Sequence, residues 1–256
     1  MGIKKIIYLS VCFLFFSFQG KSQAILNTET LMKEIDSSFY YSCNLEGDLQ
    51  FGNINLLQFN GSFLVGKKID NHLFRGFVNY AYLSENSSVL SSDLSSQFRY
   101  NYSINKHSLF AFFQLQNAIS LRLNKRLVSG VGFRQGTLKT NKNSNYLDLA
   151  YGAFFEEEVY QESINTLVEI QNIRLSLASY SQFNIGKNNR ILTVIYYQLN
   201  TQNTKDYRVY IEPRFYHDFK KMSFYIKGMY RYHSTPYIDL VNFDSDIMVG
   251  LEFKIS

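Results

Sequence analysis

The closing segment of this chain, Ile247 to Ser256, alternates in chemistry from one residue to the next. Ile247, Val249, Leu251, Phe253 and Ile255 fall on one side; Met248, Gly250, Glu252, Lys254 and Ser256 fall on the other. Side chains alternate across a strand with period two, so the segment is a ribbon with one apolar and one polar face. The same split recurs along the chain. Ser38–Phe51 sets Phe39, Tyr41, Cys43, Leu45, Leu49 and Phe51 against Tyr40, Ser42, Asn44, Glu46, Asp48 and Gln50. Leu94–Ile104 sets Leu94, Phe98, Tyr100, Tyr102 and Ile104 against Ser95, Gln97, Arg99, Asn101 and Ser103.

The pattern predicts twelve strands, most of ten to thirteen residues. After Ser38–Phe51 and a Gly52-Asn53 turn come a strand bearing Leu57, Phe59, Phe63 and Val65, a less regular one at His72–Leu83, then Leu94–Ile104 and Ser108–Ile119. Leu127–Leu138, Tyr146–Glu156, Ile173–Ile185, Arg190–Asn200, Tyr207–Tyr216, Met222–His233 and the closing strand complete the set. These lengths suit tilted strands that cross a bilayer. Connections at Asn105–His107, Gly186–Asn189 and Asp218–Lys221 read as short. Those at Ser84–Asp93, Glu157–Asn172 and Ser234–Asp246 read as long loops. With a periplasmic N-terminus, short turns follow even strands and long loops odd ones, the asymmetry of an outer-membrane barrel.

The predicted fold is therefore all-β: an antiparallel up-and-down transmembrane β-barrel of about 12 strands over residues 37–256. Lys4 and Lys5, the apolar run Ile6–Phe18 and a small residue at Ala24 predict a secretory signal peptide, residues 1–24. Residues 25–36 would form a short periplasmic segment ahead of the barrel. A soluble sandwich also alternates, and charge placement separates the two. The apolar faces carry no charge, and most lysines fall at predicted turns. An Arg or Lys facing lipid at the midplane would cost about 2–4 kcal/mol.

Composition adds three constraints. Phe and Tyr number 23 and 20, Trp is absent and Pro occurs twice, which suits long, fully paired strands. Without Lys4, Lys5 and Lys21, 23 basic residues face 21 acidic ones, not the balance of a nucleic-acid binder. Cys43 would be the only cysteine of the processed chain, which excludes an internal disulfide.

Gly52-Asn53, Arg126 leading into Gly130-Val-Gly-Phe133, and Tyr146-Leu-Asp-Leu-Ala-Tyr-Gly-Ala-Phe-Phe-Glu156 resemble the glycine-rich strand pair and aromatic-Glu strand of the YdiY-like family, domain of unknown function 481. The resemblance covers residues 40–185 and implies an outer-membrane barrel. It carries no catalytic set.

No metal-ligand spacing joins His72, His107, His217 and His233, which read as surface or interfacial residues. His107-Ser108 and His233-Ser234 are adjacent on strands and point to opposite faces, so neither forms a nucleophile–base pair directly. No enzymatic activity and no cofactor are expected. Glu156, Glu157, Glu158, Glu162 and Glu169 read as a solvated external loop, or as carboxylates that bridge divalent cations to lipopolysaccharide. The inward cations, opposed by Glu46, Asp48, Asp148, Glu156, Glu212 and Glu252 on the same polar strand faces, carry the most functional signal. Arg99, Arg134, Arg174, Arg208, Arg214, Lys227 and Arg231, with Glu212 between Arg208 and Arg214, are candidate lumen-lining residues of a constriction.

The leading reading is a narrow, weakly anion-preferring channel for small solutes. The alternatives are a plugged structural or envelope-stress barrel that binds partners through external loops, and an outer-membrane lipid hydrolase. Expected partners are outer-membrane lipids, lipopolysaccharide and the barrel-assembly machinery through the C-terminal strand, with no nucleic acid.

Overall fold

The computed structural model describes residues 39–50, 56–140, 145–163, 165–237 and 241–255. The expected signal peptide, the segment 25–36 and the Gly52-Asn53 turn lie outside the described residues. Twelve strands follow in chain order: β1 Phe39–Gln50, β2 Leu56–Ile69, β3 His72–Glu85, β4 Ser88–Ile104, β5 His107–Ala118 and β6 Leu123–Thr140. Then come β7 Asn145–Ser163, β8 Thr166–Ile185, β9 Asn189–Asn200, β10 Tyr207–Asp218, β11 Met222–His233 and β12 Phe243–Ile255. Each pairs antiparallel with its neighbours in sequence, and β12 pairs back onto β1 to close the barrel.

The two faces sort as the alternation requires. Outward positions expose large apolar side chains from β1 to β12, among them Leu45, Phe63, Val78, Phe98, Phe113, Val131, Leu177, Phe215, Ile226 and Val249. Such a continuous apolar surface is compatible with lipid and not with water. Cys43 is a free thiol on β1, at an outward position. Tyrosines gather at the end away from the chain termini, where the rings of Tyr197, Tyr207 and Tyr232 follow one another across β9, β10 and β11. This is the interfacial placement an amphipathic ring prefers.

Two of the loops expected from the sequence are strands. Residues 84–93 form the close of the β3–β4 hairpin, with Asn86 and Ser87 at positive φ in a tight turn. Residues 157–172 continue β7 and β8 as paired arms of 19 and 20 residues, held together from Tyr146–Gln182 to Ser163–Thr166. Polar outward residues end the apolar pattern there but do not end the hydrogen-bonded ladder, which is why alternation in hydrophobicity stopped short. Lys125 and Lys139, expected in turns, lie within β6. In the β11–β12 connection the described residues, 234–237 and 241–242, lie outside the ladder, as expected.

The glycines of β6 allow close approach rather than turns. A Cβ at Gly132 would lie 2.6 Å from the Tyr151 carbonyl oxygen and collide with the Phe110 ring. One at Gly130 would lie 2.6 Å from Phe154 Cβ. Bare backbone here lets Phe110, Phe112 and Phe154 fill the interior. Pro213 sits in mid-strand on β10 and lacks a donor. The ladder to β11 skips Glu212 and Pro213, then resumes in unchanged register at Arg214–Lys227. Gly228 lies beside the proline ring, where a Cβ would be 3.4 Å from its Cγ.

Gly132→Ala is expected to destabilise the folded barrel by about 1–3 kcal/mol, since an added methyl must displace either an aromatic ring or backbone. Urea titration of the refolded protein, followed by heat-dependent gel mobility, reads this directly. An unchanged midpoint would show that the Phe110 ring moves freely.

Candidate functional site

Interior positions hold charge in quantity. Among the described residues, eight cationic side chains and seven carboxylates are buried, so the lumen is nearly balanced. They form three tiers between the mouth at the chain termini and the distal mouth.

The distal tier centres on Glu156 of β7, which is fully buried. It accepts hydrogen bonds from Arg208 Nη1 at 2.6 Å, Arg174 Nε at 3.0 Å and Arg126 Nε at 3.3 Å. Glu158, two residues on and on the same face, lies 3.2 Å from both Arg208 Nη2 and Arg126 Nε. Arg174 reaches the other way to Asp206 in the β9–β10 loop, at 2.6 Å. Asp206 also accepts from Asn200 Nδ2 at 2.9 Å and stands 2.6 Å from His233 Nε2. Three guanidinium groups thus face three carboxylates, each shared. Bidentate and shared geometry is what offsets the cost of removing such groups from water.

Asp206 lies outside the spanning strands. Burial alone would raise its pKa, but hydrogen bonds from His233, Arg174 and Asn200 outweigh it and hold the carboxyl well below the usual range. A lowered pKa contributes stability that is complete above the free Asp value of about 3.9 and is lost only as pH falls through the folded value. The latch from loop to wall therefore persists through mild acidification.

The middle tier joins β1 to β10 and β11. Glu46 accepts from Lys227 Nζ at 2.6 Å, Tyr225 Oη at 2.5 Å and Asn60 Nδ2 at 2.7 Å. Glu212 accepts from Arg214 Nε at 2.9 Å and from the Tyr210 hydroxyl. Nearer the termini, Arg190 bonds Asp218 at 2.9 Å and its guanidinium stands 3.6 Å from the Tyr216 ring centroid. Arg134 holds Asp148 at 2.7 Å below the Tyr180 ring.

All eight candidate lumen residues point inward, but the structure does not gather them at one level. Arg174 and Arg208 belong to the distal tier; Glu212, Arg214 and Lys227 to the middle one. Arg134 stands apart with Asp148, and Arg231 pairs with Asp244 at 3.2 Å near the distal mouth. Arg99 lies on the opposite wall, its guanidinium 4.1 Å from the Phe110 ring centroid, and its strand neighbour in register is Arg75. The stripe of basic residues on β10 and β11 is an ion-paired lattice rather than a bare cationic surface.

Several members were missed from the sequence. Glu156 was read both on the polar face of its strand and in an acidic loop cluster, Glu158 only in that cluster; the structure overturns the loop, since both are buried in the wall of the lumen. Their parity with Asp148 and Phe154 on one continuous strand was the available signal. His233, read as interfacial, is buried against Asp206. Ser234 does not serve it: its hydroxyl donates to the Lys205 carbonyl at 2.6 Å and accepts from Tyr207 N–H. Asp206 carried no local motif; Arg126 stood in the family resemblance without a site role, and Glu46 was placed inward by parity but without its partners.

A cavity of about 60 Å³ lies between β4 and β9, lined by Gln97, Arg99, Phe110, Gln114, Arg126, Tyr180, Tyr196 and Gln198, among others. With roughly 30 Å³ per water, it holds only a few solvent molecules.

These features define a twelve-stranded antiparallel transmembrane barrel with a charge-lined, ion-paired lumen. The chain belongs to the family described as protein of unknown function, DUF481, whose model matches residues 45–255. Among solved structures, the NanC porin superposes with a TM-score of 0.53 at 10% identity, covering 84% of this chain and 100% of that one. The KdgM porin, solved in complex with disordered oligogalacturonate, superposes with a TM-score of 0.50 at 12% identity, covering 84% and 99%. At such identities the likeness is one of fold. No significant match occurs among curated proteins.

Glu156→Gln would leave three buried guanidinium groups short of a counter-charge, an expected loss of about 3–5 kcal/mol. Glu157→Gln, which breaks only the outward pair with Lys125, should leave the urea midpoint unchanged. Equal midpoints for the two variants would show that the distal tier contributes nothing to stability.

Proposed function

We propose that the protein is an outer-membrane channel, narrow and largely closed at rest, for small polar solutes with a weak preference for anions. The observation that carries this reading is the cross-strand juxtaposition of Arg75 and Arg99, the latter lining the small cavity. Arg75 and Arg99 occupy directly opposed positions on β3 and β4, so two cationic side chains face the lumen at one level of that wall, Arg75 bonded to Asn101 and Arg99 set over the Phe110 ring. Gln97, Gln114 and Gln198 supply uncharged hydrogen-bonding groups around the same space. The protein is exported by a cleaved signal peptide and assembled through its C-terminal strand. Its apolar band meets outer-membrane lipids, with lipopolysaccharide at the distal end. The reading is non-enzymatic.

A second reading, a plugged structural or envelope-stress barrel that binds partners through its distal loops, is favoured by the ion-paired filling of the lumen. Single-channel recording of the refolded chain in a planar bilayer separates the two. The expected result is discrete, small steps with modest anion preference, which falls towards neutrality in Arg99→Gln. A folded, inserted protein that never conducts would overturn the channel and leave the plugged barrel.

A further inference from the structure

The two ends of the barrel carry different charge. At the end of the chain termini, the described hairpins are those joining β2 to β3, β4 to β5, β8 to β9 and β10 to β11. Each presents exposed lysine: Lys67 and Lys68, Lys106, Lys187, and Lys220 with Lys221. Among the described residues, the lysines held in ion pairs are Lys125 and Lys227, and neither lies at this end. Asp70 is the exposed carboxylate of these hairpins, while Asp218 is held by Arg190 and Ser223. The distal end is mixed. Arg122, Lys125 and Lys205 stand exposed there together with Glu162 and Glu169, and Lys125 is bonded to Glu157.

Each of these hairpins also sets an apolar side chain next to its lysine. Ile69 follows Lys68, Ile104 and Ile185 stand two residues before Lys106 and Lys187, and Phe219 precedes Lys220. All four are exposed, at the edge of the apolar band. An exposed apolar group there marks the limit of the hydrocarbon. From that limit a lysine stem lies along apolar surface while its ammonium stays in water. The six ammonium groups therefore sit at the depth of lipid phosphates rather than far out in the periplasm. The four hairpins are spaced round the closed sheet, so the charges form a collar rather than a single patch.

We infer that this collar gathers anionic phospholipids, whose phosphodiester carries no balancing amine, from the leaflet around the mouth at the chain termini. Depth and charge together choose this occupant. The lysines stand at head-group level, and Asp70 is the exposed carboxylate set against six of them. A zwitterionic head group would bring an ammonium to the same lysines and lose by repulsion much of what its phosphate gains. A lysine at an anionic surface is worth about a five-fold change in occupancy. Lys67 with Lys68, and Lys220 with Lys221, offer two charges to one phosphate and are the strongest points of the collar. Lipids held on several sides fix the depth of the barrel and oppose its tilting. The inference rests on the membrane-barrel reading of the proposed function but not on conduction.

The chain contains no tryptophan, so single reporters can be introduced. Phe219→Trp reports on the collar, and Tyr230→Trp, outward and exposed, on the distal side. Each variant is refolded into vesicles of equal parts phosphatidylcholine and phosphatidylglycerol, with bromine on the acyl chains of one lipid or the other. Brominated phosphatidylglycerol is expected to quench Phe219→Trp more than brominated phosphatidylcholine does, with a local enrichment of about two- to five-fold. Tyr230→Trp should be quenched equally by both. The enrichment should vanish when Lys220→Gln and Lys221→Gln are added, and at about 1 M salt, where screening acts within about 3 Å. Equal quenching of Phe219→Trp by the two lipids, in protein whose heat-dependent gel mobility shows it folded, would overturn the collar. So would a preference that survives loss of both lysines, or one that the distal reporter shares. Retention on purified peptidoglycan that is lost with the same lysines, while quenching stays equal, would overturn the lipid and assign the charge to the cell wall. Absence of quenching at both reporters by either lipid would instead sink the membrane-barrel reading itself.

Discussion

A closed barrel in a membrane has no place to put a charge except inside itself. Lipid excludes ions from the outer face, and the narrow interior leaves little water to solvate those turned inward. The ion pairs between strands are therefore conditions of closure rather than ornaments on it. Glu156, shared by guanidinium groups from β6, β8 and β10, ties together walls that are otherwise joined only through their neighbours. Glu46 does the same across the β1–β12 closure, by reaching Lys227 and Tyr225 on β11. Each carboxylate spans more than one seam, so the lumen acts as a set of internal braces.

The braces conflict with conduction. A lumen that neutralises its own charge by direct contact leaves few groups available to a passing ion, and little volume for it to pass through. The arrangement resolves this by unequal division. One arc, from β7 to β12, carries nearly all the ion pairs and the buried tyrosines. The other, from β2 to β5, carries amides, serines and the Arg75–Arg99 pair. Ion-pair bracing and uncharged polar lining thus fall mainly on different walls.

Much of the fold was legible in the sequence because lipid enforces a strict period. Leu94 to Ile104 could face only one way, and every one of the twelve predicted strands exists. What could not be read was decided by contacts between distant strands. Glu157 and Lys125 break the apolar face, so the pattern ended near Glu156 although the ladder runs on to Ser163. Asp206 looked like an ordinary loop residue because Arg174 and His233, which bury it, are 32 and 27 residues away. The inward arginines were visible by parity; their counter-ions depended on register, which alternation does not fix.

The β7–β8 hairpin gives the molecule a profile that its strand number does not suggest. Twenty residues at about 3.3 Å each make an arm of roughly 65 Å, whereas about ten tilted residues suffice to cross. The seven residues of each strand beyond the apolar band, Glu157–Ser163 and Thr166–Asn172, therefore carry the arm past it beside the distal mouth, while β9 and β10, with 12 residues each, end sooner. Anything bulky that approaches from this side meets the arm first. The rim is thus lopsided, with one long paired arm standing over the distal mouth and the shorter strands ending below it.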